Sequence, residues 1–180
     1  MKRKTILIVL LTFWINFVFT QENNIGGIIY GQNYAFIVTA PVGWIMDSES
    51  LSRQGIFGLF YEEGKIFGAQ NNTPIIYIVT FTLNNSSDDE LIKFAQEDIN
   101  GYIMNGAKTE RIDKRYKKSD TLYLTYNVNL PNGRFETFVF TRYNNNCLII
   151  ILNANNNAQR NELLPKLEEV INSISFMDKN

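Results

Sequence analysis

Between Leu122 and Leu152 the chain commits itself to an antiparallel sheet. Leu122, Leu124, Tyr126, Val128 and Leu130 fall on even positions, and Thr121, Thr125, Asn127 and Asn129 lie between them, with Tyr123 as the exception. A period of two is the mark of a strand with one face in a core. Pro131-Asn132-Gly133 then makes a hairpin turn, Arg134 to Tyr143 runs back, Asn144-Asn145-Asn146 turns again, and Cys147 to Leu152 is an almost purely apolar strand. Connections this short join antiparallel neighbours, because a parallel crossover takes a dozen or more residues.

The rest of the chain reads consistently with that meander. Tyr34 to Thr39 is a short strand closed by Pro41, and Val42-Gly43-Trp44 is a tight turn and anchor. Asp47 to Gln54 holds at most one helical turn, stopped at Gly55. Ile56 to Tyr61 reads as a strand, residues 64–74 as a loop, and Ile75 to Leu83 as a strand covered on both faces, since both its parities are apolar. Ser87-x-x-Glu90 fits a capping box and opens a helix whose stripe is Leu91, Ala95, Ile99, Tyr102 and Ile103, with Asn105-Gly106 as its stop. Residues 108–117 are charged and alternating, which suits an exposed strand. Asn155-Asn156-Asn157 opens a last helix with Leu163 or Leu164, Leu167, Val170 or Ile171, and Ile174 on its inner face. Pro165 lacks a backbone donor, so this helix is expected to start late or to kink there, and Ile174 to Met177 to add a short final strand. Strands, helix, strands, helix with hairpin connections define the α+β class, an antiparallel β-sheet flanked by helices.

The N-terminus stands apart from this pattern. Lys2, Arg3 and Lys4 precede the apolar run Ile6 to Phe19, which only Thr12 and Asn16 interrupt. A charged n-region before an apolar h-region is a secretory signal peptide, assigned to residues 1–20 with the cut after Thr20. A retained membrane anchor is the competing reading, but the run falls short of the roughly 20 residues a span needs. Residues 21–33 read as a flexible leader and 34–177 as a single domain. The expected destination is the periplasm or the exterior, with no membrane span after cleavage.

Composition excludes much chemistry. The 180 residues include no histidine and one cysteine, so no Ser-His-Asp triad, Cys-His dyad, His-ligated zinc site or internal disulfide can form within the chain. Formal net charge is −1, and loss of three of the 17 basic residues with the signal, against none of the 18 acids, leaves −4. An acidic protein is poorly suited to neutralising phosphates, so nucleic acid is not an expected partner. Gly26-Gly27 and Gly31 lack the helix and the Lys-Ser/Thr pair of a phosphate loop, and neither GxSxG nor SxxK occurs. No cofactor and no metal are expected.

Several residues carry candidate roles. Trp44 beside a glycine turn is either a ligand platform or a core anchor, and the anchor is the simpler reading. Trp44, Asp47, Tyr61 and Glu63 together outline a candidate ligand pocket. Asp47, Glu49, Glu62 and Glu63 are the acids near this motif; two of them in one cleft would suit general acid/base hydrolysis, while separately they read as cap and turn residues. Asp88-Asp89-Glu90 is explained by capping and the helix dipole. Lys108, Arg111, Lys114, Arg115, Lys117 and Lys118, against Glu110 and Asp113, form a local excess of cations. That stretch suits an anionic partner, or an edge strand kept soluble by lysines. Cys147, at the head of an apolar strand, reads as a buried and inert thiol.

The block Pro41-Val42-Gly43-Trp44, then Asp47, Gln54-Gly55 and Phe60-Tyr61-Glu62-Glu63-Gly64, resembles a family of small exported bacterial proteins of unassigned function. In that family Glu62 is usually proline, and Phe67 is often tryptophan. The extended start into Pro-x-Gly-Trp, and the final helix running into Ser173-Ile174-Ser175-Phe176, are similar to the Mog1/PsbP-like fold. The resemblance implies an αβα sandwich over most of residues 34–177 and supplies no catalytic residue. The expectation for function is an exported, non-catalytic binding or accessory module of the bacterial envelope, its partner a protein or an anionic envelope component. The alternatives are a carboxylate-dependent hydrolase and a small-molecule binder with a pocket between sheet and helix.

Overall fold

The computed structural model describes residues 26–31, 33–65, 67, 72–117 and 121–177; the expected signal peptide and Lys118 lie outside them. The strands are β1 (Gly26–Tyr30), β2 (Ala35–Thr39), β3 (Trp44–Asp47), β4 (Gly58–Glu62), β5 (Ile75–Thr82), β6 (Lys108–Ile112), β7 (Leu124–Asn129), β8 (Phe135–Tyr143), β9 (Asn146–Ala154) and β10 (Ser175–Phe176). The helices are α1 (Asp88–Met104) and α2 (Asn157–Ser173), with a 3-10 turn at Ser52–Gln54 that ends on Gly55. β3-β4-β5-β9-β8-β7-β6 form a seven-stranded sheet and β1-β2-β10 a three-stranded one. Every pairing is antiparallel.

Alternation in β8 and β9 divides the core in two. Leu148, Ile150, Leu152 and Val139 point to one face of the large sheet, where Leu167, Val170, Ile171 and Ile174 of the α2 segment meet them together with Phe36 and Val38 of β2. Cys147, Ile149, Ile151, Phe138 and Phe140 point to the other face, which Leu91, Ala95 and Ile99 of α1 cover. The central strands are therefore apolar on both parities, as the fully covered strand of a sandwich must be. Each fully buried Phe or Leu contributes roughly 1.5–3 kcal/mol relative to an exposed one.

Local chemistry sets the element ends. Ser87 Oγ accepts from Glu90 N–H at 3.1 Å and caps α1; Glu90 instead takes Asn84 through its carboxylate, so only half of the capping box closes. Asn156 caps α2 through Gln159 N–H at 2.8 Å. The turn from β2 into β3 needs Gly43, whose φ is +75°, and closes with Trp44 N–H donating to Pro41 O at 2.9 Å. Gly58 serves packing instead. A Cβ there would sit 2.5 Å from Ile29 Cδ1, so its absence lets β1 lie on the large sheet.

Four expectations need correction. Gly26–Tyr30, read as part of a flexible leader, is strand β1, paired with β2 from Gly26↔Thr39 to Tyr30↔Ala35; its glycine pair and shortness hid a strand that tertiary packing imposes. Trp44, read as a turn residue, begins β3. α2, expected to start late or to kink at Pro165, does not start late: it begins at Asn157 and runs through the proline, because Leu167, Val170 and Ile171 beyond it are held by the core. Ile103 is exposed although it fits the α1 stripe, and Tyr102 beside it is the residue that packs on Phe138 of the sheet.

Candidate functional site

The β3–β4 register decides the fate of the candidate pocket residues. Trp44 stands opposite Glu62, Ile45 opposite Tyr61 and Asp47 opposite Leu59. Cross-strand partners share a face and successive residues alternate, so Trp44 lies on one face and Asp47 with Tyr61 on the other. Trp44 is buried in the core beneath α2. The Tyr61 hydroxyl donates to Asp47 Oδ2 at 3.3 Å, and Tyr61 stacks on Phe67 with ring centroids 6.2 Å apart. Glu63 is exposed, and its N–H closes the turn on Gly43 O at 2.9 Å. The four residues do not converge on one pocket.

Nor do the nearby acids form an acid/base pair. Asp47 Oδ1 accepts from the N–H groups of Glu49 and Ser50, both at 2.9 Å, and Oδ2 accepts from Ser50 Oγ at 2.5 Å. Burial alone would raise its pKa, but these bonds and the one from Tyr61 outweigh it and hold the carboxyl below its usual range. Asp47 is an anion fixed in a turn. Glu49 and Glu63 are exposed, and Glu62 projects from the face opposite Asp47. The expectation that two of Asp47, Glu49, Glu62 and Glu63 share one cleft is not met, because it took sequence proximity for a shared face.

A cavity of about 320 Å³ does open between sheet and helix. Trp44, Glu62 and Lys65 wall it from the β3–β4 side, Asn72, Thr73 and Pro74 from the loop before β5, and Gln159, Glu162 and Leu163 from α2. Of the expected pocket residues only Trp44 lines it. Glu62, rather than Glu63, supplies the carboxylate from that motif. An indole, two amides, two carboxylates and an ammonium can orient a polar ligand.

The basic stretch divides between a strand and a strap. Lys108 and Arg111 are exposed on β6, the edge strand that pairs with β7. Residues 113–117 then leave the edge and cross to α2. Tyr116 is buried as the pin of that strap, its hydroxyl 3.3 Å from Thr125 Oγ1 and its ring 4.9 Å from that of Tyr123. Lys114 pairs with Glu168 at 3.0 Å, and Lys117 N–H donates to Asn172 Oδ1 at 3.3 Å. Lys108, Arg111, Arg115 and Lys117 are exposed, and among the described residues none of the four has an acid within ion-pair distance.

Two polar clusters escaped sequence reasoning. Glu136 is 5% exposed, accepts from Asn153 Nδ2 at 2.5 Å, and faces α1 beside Phe138, on which Tyr102 packs edge-on at 5.0 Å. Burial raises its pKa more than Asn153 and Arg134 lower it. Burial likewise raises Asp98, and pushes Tyr102 up to about 12 with help from Glu136 and Asp98. Cys147, buried as expected, is pushed up to about 12 and is no nucleophile. On the α2 side Arg160, 6% exposed, donates to Asn129 Oδ1 at 2.9 Å and Asn157 Oδ1 at 2.5 Å and lies over the Phe135 ring at 5.7 Å. These clusters join residues from distant parts of the chain, and no local motif announces them.

No protein-family model matches the chain, and no curated protein matches it. Solved structures do. The solution structure of cyanobacterial PsbP from Synechocystis sp. PCC 6803 aligns with a TM-score of 0.52 and 13% identity, covering 86% of this chain and 94% of that one. The crystal structure of the Saccharomyces cerevisiae Ran-binding protein Mog1p aligns with a TM-score of 0.53 and 15% identity, covering 86% and 95%. The chain has the Mog1/PsbP-like α+β fold, as the extended segment before Pro41, the Pro-x-Gly-Trp turn and the closing helix implied. At this identity the likeness speaks for the fold alone.

Proposed function

We propose that the protein is an exported, non-catalytic binding or accessory module of the bacterial envelope, and that it meets an acidic partner along β6 and the 113–117 strap. One observation carries this reading: four exposed cations, Lys108 and Arg111 on β6 and Arg115 and Lys117 on the strap that follows it, have no acid within ion-pair distance among the described residues, in a protein whose exported form has net charge −4. The cations outnumber exposed Glu110 and Asp113 of the same stretch, and a local excess of one sign steers a partner of the other sign, more strongly at low salt. The basic leader and apolar run at 1–19 support export. Mog1p, which shares the fold, is itself a binding protein for Ran.

Replacing the four cations by glutamine tests the proposal. Exposed substitutions of this kind shift stability by no more than about 0.5 kcal/mol each. The variant should fold as the wild type does and lose its salt-sensitive association with native envelope. Association unchanged by the four substitutions contradicts the proposal.

The cavity beneath Trp44 favours a second reading, a small-molecule binder with its pocket between sheet and helix. A compound held there raises the melting temperature, and Glu162→Lys at the rim removes that rise. A rise that survives in Glu162→Lys places the compound elsewhere.

A further inference from the structure

The small sheet differs from the large one in a way that concerns its edge. β6, at one end of the large sheet, carries Lys108, Glu110 and Arg111, and β3, at the other end, finishes on Asp47. Charges of this kind keep an open strand edge from pairing with another chain. β1, β2 and β10 contain no charged residue and no proline. β10 is two residues long, and Tyr143 stacks on its Phe176 at 4.2 Å. Among the described residues β1 is the outer strand at the other end, five residues long, without a charge, a proline or a bulge in its pairing with β2.

The outward face beside that edge is apolar. Ile28 is 56% exposed, Tyr30 74%, Ile37 41% and Met177 41%. Ile28 and Ile37 are direct cross-strand partners, and the alternation that turns Ile29, Phe36 and Val38 into the core turns these residues out. Apolar side chains of this size, contiguous and next to an uncharged edge, fit a strand from another molecule.

The sequence of β1 specifies which strand. Gly26-Gly27-Ile28-Ile29-Tyr30 is complementary in size to its own reverse. Laid antiparallel on a second copy about a two-fold axis through Ile28, it sets Tyr30 against the partner's Gly26, Ile29 against the partner's Gly27, and Ile28 against the partner's Ile28. On the outward face the tyrosine meets a residue without a side chain, the arrangement in which an aromatic ring covers a glycine; Ile29 and Gly27 face the core, where Ile29 packs on Gly58 and Met46 fills the space over Gly27. No like charges meet, and a two-fold axis uses the same patch on both molecules. We infer that the protein forms a homodimer in which β1 pairs antiparallel with β1 of a second copy, centred on Ile28, so that two three-stranded sheets become one of six. The contact lies on a different sheet from the basic edge and is independent of it.

The experiment uses the natural protein as its host processes it, together with variants made in the same host. Light scattering should give twice the mass of one chain for the wild type, and Ile28→Lys, which sets two ammonium groups against each other at the axis, should halve it. Ile28→Cys should oxidise to a disulfide-linked dimer, because cross-strand Cβ atoms lie about 4.5–5.5 Å apart; Cys147 is buried and does not compete. Val42→Cys, exposed on the turn into β3, is the control for random collision. A wild type that stays monomeric at the highest concentration it tolerates overturns the inference. So does cross-linking of Ile28→Cys no faster than that of Val42→Cys, the result expected if the chain's own N-terminal segment covers β1.

Discussion

Glu136 and Asp47 show how one functional group acquires two opposite relations to pH. Burial holds Glu136 above its usual value near 4.5, whereas donors from Ser50, Glu49 and Tyr61 hold Asp47 below 3.8 despite the part of it that is buried. For Glu136 the folded state keeps its proton more tightly than the unfolded one. Its contribution to stability is therefore lost as pH rises from about 4.5 through the raised value. Glu136→Gln keeps an oxygen for Asn153 and should melt higher than wild type at neutral pH, with the gain closing below the carboxylate range. Asp47 runs the other way: its stabilisation is present above 3.8 and fades as pH falls through the lowered value. Asp47→Asn should therefore melt below wild type at neutral pH, the gap shrinking in acid. Melting curves across that range check both, and parallel curves for either variant contradict the assignment.

At the scale of elements, α2 carries a removable fault. Pro165 lies exposed inside the helix and cannot donate to the carbonyl one turn back. Pro165→Ala restores that donor and should stabilise the protein by about 1–3 kcal/mol in urea titrations; a destabilised variant would mean the proline shapes the helix's seat on the sheet. The 113–117 strap depends on Tyr116 in the same way. Tyr116→Ala should cost about 3 kcal/mol and release the strap from α2, seen as faster amide exchange at residues 113–117. Elements with a strong local period were legible before any coordinates. The β7–β8–β9 meander, the Ser87 cap and the Leu91, Ala95, Ile99 stripe all stand where pattern and propensity agree. β1 and the unbroken α2 were not, because in both the tertiary partner overrides what glycine and proline prefer locally. The candidate site was legible to the same degree. Trp44 and the basic stretch belong to continuous segments, but the split of Asp47 from Trp44 across a sheet, and the meeting of Glu136 with α1, follow from register and packing.

For the whole molecule, a seven-stranded sheet covered on one face by α1 and on the other by α2 and the small sheet leaves its periphery for encounter. The core faces are filled by Phe36, Phe60, Phe138 and Phe140, all buried, and the described residues offer three surfaces for encounter: the edge of β6 with its strap, the uncharged edge of β1 and the mouth of the cavity beneath Trp44. No helix among the described residues is long and apolar enough to cross a membrane. These three surfaces are far enough apart in sequence to be told apart by hydrogen exchange. The most direct measurement is amide exchange of the natural protein with and without its native envelope extract. The account predicts added protection concentrated in residues 108–117 and reversed by salt. Protection centred instead on the segments around Trp44 and Gln159, or no change at 108–117, would contradict it.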